Sequence, residues 1–416
     1  MRLILQLLEK YKKNESKCRG CNFCSKIIRC PSPNYCVGCK SCYLGCPYEA
    51  IEPELIKPSK TIKIIVDDVS YEIFEGITIK KALELIGFNV TRYPEKDALF
   101  APCETGGCQS CSVLADGVIV PSCHTPVRQG MVIQTQLSEN YVPRRIINGF
   151  SPHPVGGVGT PWHLKSKRGY IEVACFAAGC NFRCRTCQNF HVTYKSQTRP
   201  ITPEDAALQL TAFRRRYQVN RMAISGGEST LNRPWLIRFF KKLSLLNPDK
   251  QARIHLDTNA SILTSDYIDE LVAAGMTDIG PDLKAVTLET FLKITCLTDK
   301  ELAQKYLDTA WNCVKYIADH YYPEKIFMGV GLPYNEIFYP NEERRVEELS
   351  NWAERLCKID PSIQVCILDY RPEFRSSLLK MSYPSPQEMK TVKSLLENVG
   401  LKCVTAQTRE GHIGPK

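Results

Sequence analysis

The sequence lacks the features that would assign the chain to a membrane, a secretory route or a nucleic acid. It holds no run of 18 apolar residues, the length at which a membrane-spanning helix is expected. The apolar stretch Met1 to Leu8 is too short, and too soon interrupted by charge, for a secretory signal peptide. The sequence also has no basic run and no RNA-binding signature. These absences predict a cytoplasmic protein that binds no membrane and is not built around nucleic acid.

Length and charge leave room for several domains and an acidic ligand. The 416 residues are 44% hydrophobic, enough for roughly two to four domains with cores of their own. The net charge of +10 fits a mildly basic surface or a cofactor phosphate. Cysteine is abundant, with 21 residues. Because clustered thiols without secretion indicate metal rather than disulfides, we expect a reducing compartment in an anaerobic cell.

Residues 1–58 hold eight cysteines in two runs with bacterial ferredoxin-type spacing. In that pattern the last cysteine of each run serves the other cluster when two are present. By this rule, one [4Fe–4S] cluster is held by Cys18, Cys21, Cys24 and Cys46, and the second by Cys30, Cys36, Cys39 and Cys42. The first run has five residues before its last cysteine where three are usual, and only five residues separate the runs. A different pairing, or one cluster with a zinc site, therefore stays open.

Residues 59–140 form a second predicted module. Two strands and a helix are expected at 61–66, 69–74 and 79–86. Four cysteines follow at plant-type [2Fe–2S] spacing, namely Cys103, Cys108, Cys111 and Cys123. Gly106 and Gly107 allow the backbone to wrap tightly and direct amides at the sulfurs. The module resembles the β-grasp ferredoxin modules attached to hydrogenases and molybdenum hydroxylases, with a zinc site as the alternative.

Residues 141–167 are predicted to be a linker. Its Gly-Gly-Val-Gly piece at 156–159 follows no predicted strand and opens no helix. This context favours a hinge over a phosphate-binding loop. His153 and His163 are interpreted as residues of the linker surface rather than as ligands.

Residues 168–416 alternate between apolar runs and amphipathic segments. One helix is predicted to begin at Thr202, before Pro203, with Asp205 closing a capping box, and another at Ser385, before Pro386, with Glu388 in the same arrangement. Six strands are expected at 170–176, 221–225, 253–257, 278–283, 326–330 and 363–368. Six β/α units in series predict a parallel sheet curled into a partial barrel, an α/β fold.

Three more cysteines lie in the loop after the first of these strands, where α/β sheets place active sites: Cys180, Cys184 and Cys187. Three thiolates leave one iron of a [4Fe–4S] cluster open, and an open metal position can bind substrate. The spacing resembles that of the radical S-adenosylmethionine (SAM) family, whose fold is a partial (β/α)6 barrel. The resemblance implies that the open iron binds SAM and that one electron splits SAM to a 5′-deoxyadenosyl radical. A zinc knuckle or buried structural thiols are the alternative.

A Gly-Gly-Glu motif after the second strand matches the same family, where it binds the SAM amino group through backbone carbonyls. It consists here of Gly226, Gly227 and Glu228. Ser229 stands where the family has proline, a mild departure. Thr186 stands where an aromatic residue normally packs on adenine. We therefore expect other apolar groups, such as Phe182 or Phe190, to hold the adenine.

The ends of the third and fourth strands resemble the activating-enzyme branch, typified by pyruvate formate-lyase activase. The matching residues are Asp257, Asn259, Asp282 and Lys284. In that branch the aspartates and the lysine hold the ribose and the methionyl carboxylate of SAM, as hydroxyls want carboxylate acceptors and carboxylates want ammonium donors. Ala260 replaces a glycine of the branch. Strand-end capping is the alternative role for both aspartates.

These features together predict a radical SAM oxidoreductase with two ferredoxin modules at its N-terminus. An external low-potential donor, ferredoxin or flavodoxin, is expected to feed the N-terminal clusters, although these clusters could instead withdraw an electron from a substrate radical. The branch resemblance implies a glycine on a partner glycyl radical enzyme as the substrate. Another peptide or a small metabolite is the alternative substrate, and a role as an electron-transfer subunit without catalysis is the alternative function.

The other cysteines are interpreted as small buried hydrophobes: Cys175, Cys296, Cys313, Cys357, Cys366 and Cys403.

Overall fold

The computed structural model describes residues 7–165 and 169–415, which separate into two compact units. We call them the N-terminal unit and the C-terminal unit. The N-terminal unit comprises the chain up to Asn148 together with Ala177–Asn181 and Phe190–Thr202. The C-terminal unit comprises Gly149–Phe176, Phe182–Asn189 and the chain from Pro203 onward.

Two predictions fall on parts of the chain that the structure leaves undescribed. The boundary expected between residues 167 and 168 lies outside the described residues, and so do residues 1–6, which were considered as a signal peptide. Within the described ranges, no helix has the length and apolar character needed to cross a membrane.

The cysteine-rich start of the N-terminal unit is a two-stranded antiparallel sheet with two short helices between its strands. The elements are β1 (Leu8–Lys13), α1 (Phe23–Lys26), α2 (Ser41–Gly45) and β2 (Ile51–Ile56). The register runs from Leu8 opposite Ile56 to Lys13 opposite Ile51. The sheet therefore brings the two ends of the cysteine-rich segment together.

The second part of the N-terminal unit is a five-stranded sheet in the order β4-β3-β9-β7-β8, with a helix beside it. Its elements are β3 (Thr61–Val66), β4 (Val69–Phe74), α3 (Ile79–Leu85), β5 (Val90–Thr91), β6 (Leu99–Phe100), β7 (Ser112–Ala115), β8 (Val118–Pro121) and β9 (Val132–Gln134), of which β5 and β6 pair separately. In β3, Ile62, Ile64 and Val66 are buried while the residues between them are exposed. This alternation is what the sequence pattern predicted, and both predicted strands are confirmed.

The C-terminal unit is built on a nine-stranded sheet that runs in sequence order from β10 to β18. The strands are β10 (Ile147–His153), β11 (Glu172–Ala177), β12 (Arg221–Gly226), β13 (Arg253–Thr258), β14 (Asp278–Pro281), β15 (Phe327–Tyr334), β16 (Gln364–Asp369), β17 (Val404–Thr408) and β18 (Gly411–Ile413). Neighbouring strands from β12 to β17 pair in parallel, and β18 pairs antiparallel to β17. All six predicted strands are confirmed, and the α/β class is correct.

Helices connect these strands. They are α4 (Trp162–Lys165), α5 (Phe190–Thr193), α6 (Pro203–Tyr217), α7 (Arg233–Leu246), α8 (Ser265–Ala273), α9 (Leu288–Thr295), α10 (Lys300–His320), α11 (Glu342–Cys357) and α12 (Pro386–Val399). The capping box predicted at Ser385 and Glu388 is present at the start of α12. The indole N–H groups of Trp311 and Trp352 donate to the backbone oxygens of Ala285 and Leu283. These two bonds fix the segment after β14 on which Lys284 lies.

The predicted hinge at residues 156–159 is wrong, because this segment is buried against the sheet. A β-carbon on Gly157 would lie 2.3 Å from both carboxylate oxygens of Asp257, and one on Gly159 would lie 2.4 Å from the backbone of Ile279. Such close approaches require glycine. The segment is fixed further by Gln364, whose side-chain amide donates to the oxygen of Thr160. We call residues 156–160 the buried glycine segment.

Candidate active site and iron–sulfur centres

Glu228 of the Gly-Gly-Glu motif is fully buried and joins the ends of two strands. Its carboxylate accepts hydrogen bonds of 2.6 Å from Thr258 Oγ1 and from the Asn259 backbone N–H. It also accepts from Thr230, so both oxygens have partners. The side chain therefore positions the ends of β12 and β13, while the backbone oxygen of Gly226 accepts from Asn189 Nδ2 at 3.1 Å.

Lys284 lies at the end of β14 with its ammonium group between a carboxylate and a phenol. Its Nζ is 2.7 Å from Asp282 Oδ2 and 2.7 Å from Tyr370 Oη. Burial lowers the pKa of Lys284, but Asp282, Tyr370 and the Cys184 thiol outweigh burial and hold that pKa well above its ordinary value. The lysine is thus a fixed cation close to a predicted cluster ligand. Tyr370 was missed from the sequence, although its place just after the sixth predicted strand was a usable signal.

Asp257 belongs to a buried chain of charges. His255 Nε2 lies 3.2 Å from Asp257 Oδ1, and His255 Nδ1 lies 3.1 Å from Glu172 Oε2. Burial lowers the pKa of His255, but the two carboxylates raise it to about 9. The imidazole is therefore protonated at neutral pH and holds Asp257 in place. Glu172 also accepts from His153 and from the N–H of Gly157, so His153 is not merely a surface residue of a linker.

The charge network continues to the amino ends of the strands. Arg221 lies 2.8 Å from Asp278 Oδ1, and Arg253 lies 2.8 Å from Asp278 Oδ2. Arg221 Nε is also 3.6 Å from Glu172. Burial raises the pKa of Asp278, but the two guanidinium groups outweigh it and lower that pKa below its ordinary value. Each buried charge in this network therefore has an opposite charge beside it.

The C-terminal-unit part of the three-cysteine loop is held by backbone bonds. The N–H of Arg183 donates to Thr295, and the oxygen of Arg185 accepts from Ser376. The side chain of Gln188 donates to the backbone oxygen of Asp369 at 3.2 Å. These bonds place Cys184 and Cys187 on an anchored loop at the carboxyl ends of the strands.

The expectation that Phe182 holds adenine is wrong. Phe182 is buried in the core, with its ring edge-on to Phe291 at 5.5 Å and to Tyr306 at 5.8 Å. Phe190 is partly exposed and lies in the N-terminal unit, where its ring is 5.5 Å from that of Phe23. Core packing therefore uses Phe182, one of the two aromatic residues expected to hold the adenine, and a role for Phe190 stays a prediction.

The four cysteines of the plant-type motif come together, and all are buried. The sulfurs of Cys103 and Cys108 are 3.1 Å apart. Hydrogen bonds from Cys108 and Cys123 hold the pKa of Cys103 well below its ordinary value, and a hydrogen bond from Cys123 lowers the pKa of Cys111. The N–H of Thr105 points at the sulfur of Cys103. Four convergent thiols with an amide donor fit a [2Fe–2S] cluster.

The eight N-terminal cysteines fall into two neighbourhoods. Burial raises the pKa of Cys24, and the nearby thiols of Cys46, Cys21 and Cys18 raise it further. Burial likewise raises the pKa of Cys42 to about 12, with contributions from Cys39, Cys36 and Cys30. The apolar cluster around buried Cys46 includes both Cys18 and Cys42, so it contains thiols of both neighbourhoods. Two [4Fe–4S] clusters in these neighbourhoods stay a prediction.

The six cysteines outside the cluster motifs differ in burial. Three of the remaining cysteines are buried as expected, namely Cys175, Cys313 and Cys366. The interpretation is wrong for three half-buried ones, namely Cys296, Cys357 and Cys403. Within residues 7–165 and 169–415, no three His, Cys, Asp or Glu side chains are arranged to hold a single metal ion.

Two family models match the chain. Residues 175–337 match the Radical SAM superfamily, and residues 59–138 match a 2Fe-2S iron-sulfur cluster binding domain. The first match begins just before Cys180 and includes Asp257, Asp282 and Lys284. The second includes all four cysteines of the plant-type motif.

Curated relatives are distant. A protein named "Probable GTP 3',8-cyclase" from Saccharolobus islandicus is 22% identical over 239 residues, which is 57% of this chain and 67% of the relative. A protein of the same name from Saccharolobus solfataricus is 29% identical over 116 residues, which is 28% of this chain and 35% of the relative.

Solved structures superpose loosely. SuiB of Streptococcus suis bound to S-adenosylmethionine is 14% identical, covers 53% of this chain and 44% of its own, and has a TM-score of 0.36. HydG, a maturase of the [FeFe]-hydrogenase, is 16% identical, covers 52% and 47%, and has a TM-score of 0.38. The chain thus spans less than half the length of these two structures. From these two matches, the chain contains a radical SAM domain at residues 175–337 and a 2Fe-2S ferredoxin-type domain at residues 59–138.

Proposed function

We propose that the protein reductively cleaves S-adenosylmethionine to a 5′-deoxyadenosyl radical, which abstracts a hydrogen atom from a substrate. The observation that carries this proposal is the set of polar groups at the ends of consecutive parallel strands, next to the three-cysteine loop. Asp257 is the penultimate residue of β13, and Asp282 and Lys284 follow β14. A [4Fe–4S] cluster on Cys180, Cys184 and Cys187 would supply the open iron and the single electron.

The residues around this cluster have separate tasks in the proposed reaction. Lys284 is a fixed cation that can attract the carboxylate of SAM, since its ammonium has three donors. Asp257 and Asp282 are acceptors suited to ribose hydroxyls or to an ammonium group. The backbone oxygen of Gly226, already an acceptor for Asn189, suits the SAM amino group. The alternative role for Asp257 and Asp282 is to cap the ends of their strands instead of binding the ribose. Asp282 is in addition paired with Lys284.

The N-terminal unit is proposed to relay electrons through two further [4Fe–4S] clusters and one [2Fe–2S] cluster. The pKa shifts that group Cys24 with Cys18, Cys21 and Cys46, and Cys42 with Cys30, Cys36 and Cys39, support two clusters there. An external ferredoxin or flavodoxin supplies each electron. The opposite direction, withdrawal of an electron from a substrate radical, would make the net reaction an oxidation. Clustered thiols agree with a reducing cytoplasm.

For the substrate, a glycine on a partner glycyl radical enzyme is the first candidate. It rests on the likeness of Asp257, Asn259, Asp282 and Lys284 to the activating-enzyme branch. A small metabolite is the second candidate. The relatives named "Probable GTP 3',8-cyclase" favour a nucleotide as its chemical class. Modification of another peptide is a further alternative. An electron carrier without catalysis fits less well, because a pure carrier needs no open iron.

The test of the reaction uses full-length, anaerobically reconstituted protein with SAM and dithionite. We expect 5′-deoxyadenosine to form, and to disappear in Cys184→Ala. Cys357→Ala is the matched control, because Cys357 is a half-buried thiol at the end of α11. Absence of 5′-deoxyadenosine from protein with a complete iron content would contradict the proposal.

The relay is tested with Cys111→Ser in the full-length chain. This variant should still cleave SAM with dithionite but lose activity with a ferredoxin or flavodoxin donor. Full activity with the protein donor would contradict the feeding direction. The full-length chain is needed for this test, because a fragment beginning near residue 160 would lack Gly157, which packs against Asp257.

A further inference from the structure

Two glycines bring the loop of the plant-type motif into direct contact with the start of the three-cysteine loop. A β-carbon on Gly179 would lie 2.9 Å from the amide nitrogen of Cys108 and 3.1 Å from the β-carbon of Cys103. A β-carbon on Gly107 would lie 2.9 Å from the amide nitrogen of Gly179. All of these residues belong to the N-terminal unit. The two backbones therefore touch with no side chain between them.

Hydrogen bonds hold this contact from both sides. The backbone N–H of Ile146 donates to Gly107 at 3.3 Å, and the backbone oxygen of Ile146 accepts from Ala178 at 3.0 Å. The guanidinium of Arg145, a fully buried side chain, donates to the oxygen of Ala178 at 3.2 Å. The N–H of Gly179 donates to Thr193 at 2.8 Å. These hydrogen bonds therefore fix the contact between Gly107 and Gly179.

The Gly107–Gly179 contact lies next to predicted ligands of two different clusters. Cys108 and Cys103 belong to the [2Fe–2S] set, and Cys180 directly follows Gly179. On its other side, the [2Fe–2S] loop meets the second ferredoxin neighbourhood through Ser41, whose hydroxyl lies 3.0 Å from His124 Nδ1. His124 follows the ligand Cys123, and Ser41 precedes Cys42. The [2Fe–2S] site therefore has a packed contact toward each of its neighbours.

We propose that the Gly107–Gly179 contact is the junction through which the [2Fe–2S] centre passes its electron to the cluster of Cys180. Electron tunnelling weakens steeply with the gap between donor and acceptor, and a contact without side chains keeps that gap small. The single electron that leaves the reduced [2Fe–2S] centre would reduce the cluster of Cys180, and one electron from a ferredoxin or flavodoxin would restore the first centre. Gly107 and Gly179 are positioning residues in this step. The inference rests on the proposed electron relay.

The matched pair of variants is Gly179→Ala and Gly117→Ala in the full-length protein. Both glycines have positive φ, +82° and +78°, so alanine strains both backbones. Only Gly179 has atoms within 4 Å of the added carbon, whereas Gly117 has none. Both variants strain the backbone, but only Gly179→Ala adds a carbon at the Gly107–Gly179 contact. The comparison therefore separates the effect of that carbon from the effect of strain.

The measurement is the rate at which pre-reduced [2Fe–2S] centres reoxidise when SAM is added, followed by freeze-quench EPR. In protein with complete iron content, we expect Gly179→Ala to slow this transfer at least tenfold relative to the same variant's rate of SAM cleavage with dithionite. Gly117→Ala should match the wild type. An unchanged transfer rate in Gly179→Ala with complete clusters would overturn the proposal.

Wild-type protein provides a second test that needs no variant. When both centres are reduced, the close junction predicts a magnetic interaction between them, seen as faster spin relaxation of the [2Fe–2S] signal. Absence of this interaction would overturn the junction. Failure to form 5′-deoxyadenosine with dithionite would instead contradict the proposed reaction, so the two ideas fail separately.

Discussion

His255 Nε2 lies 3.2 Å from Asp257 Oδ1, inside the fold and beneath the proposed SAM site. The other ring nitrogen faces Glu172, so one imidazolium is held between two carboxylates. A lone buried cation would be costly, but here each carboxylate offsets part of that cost. A protonated His255 therefore lies within ion-pair distance of both Asp257 and Glu172.

The first prediction concerns stability and pH. A folded-state pKa of about 9 for His255, above its unfolded value, contributes stability that is complete below about pH 6.5 and is lost as the pH rises through about 9. His255→Gln should remove this contribution, on the order of 3 kcal/mol, and flatten the dependence between those values. Anaerobic calorimetry from pH 6 to 9.5 measures it, with exposed His163→Gln as the control. An equal slope in both variants would count against the charged imidazole.

The second prediction concerns SAM affinity. Asp282→Ala removes a carboxylate that holds Lys284 and that is proposed to accept a ribose hydroxyl or ammonium proton. A lost charge-assisted hydrogen bond costs on the order of 1.5–3 kcal/mol, so binding should weaken about tenfold to a hundredfold. Equilibrium binding of SAM to reconstituted protein measures the change. Asp319→Ala, at an exposed helix ion pair, is the control, and unchanged affinity in Asp282→Ala would leave Asp282 a capping role.

The third prediction concerns metal content. Protein with all four proposed centres should carry about 14 irons. Replacing Cys180, Cys184 and Cys187 by alanine should remove about four of them and leave the ferredoxin-type spectra intact. Elemental analysis with EPR checks both statements. Zinc in the N-terminal cysteine segment would contradict two [4Fe–4S] clusters there.

The fourth prediction concerns the buried glycine segment. Gly157→Ala places a carbon 2.3 Å from the Asp257 carboxylate, which must move. Overpacking of this kind costs about 1–3 kcal/mol, so we expect a lower melting temperature and at least tenfold weaker SAM binding. Val155→Ala, at an exposed position two residues earlier, should change neither quantity. Wild-type SAM affinity in Gly157→Ala would show that Asp257 does not contact the ligand.

The sequence was sufficient for elements whose signals are local. Apolar runs located the six strands of the parallel sheet, and Ser385 with Glu388 located the start of α12. Residues at strand ends, such as Asp282 and Lys284, could be grouped because parallel strands end at one edge of a sheet. Cysteine spacing grouped the thiols of the plant-type motif for a similar reason, since spacing limits how a loop can curl.

Long-range packing could not be predicted. Nothing in the sequence near residue 157 indicates that Asp257 lies against it, so the buried glycine segment looked like a hinge. Tyr370 meets Lys284 across 86 residues, a partnership that exists only after the sheet is assembled. Phe182 was expected to hold the adenine of SAM because nothing in its local sequence indicates that its ring packs against Phe291.

The division of the chain also sets an order of events during synthesis. The N-terminal unit takes its last segment from Phe190–Thr202, after the chain has already begun the C-terminal unit. A ribosome must therefore release the chain through residue 202 before that unit can close. Until the chain through Gly179 has been released, Gly107 has no Gly179 to pack against. We expect this interval to be the period in which the cell's assembly machinery has freest access to the loop of Cys103 and Cys108 for delivering iron and sulfide.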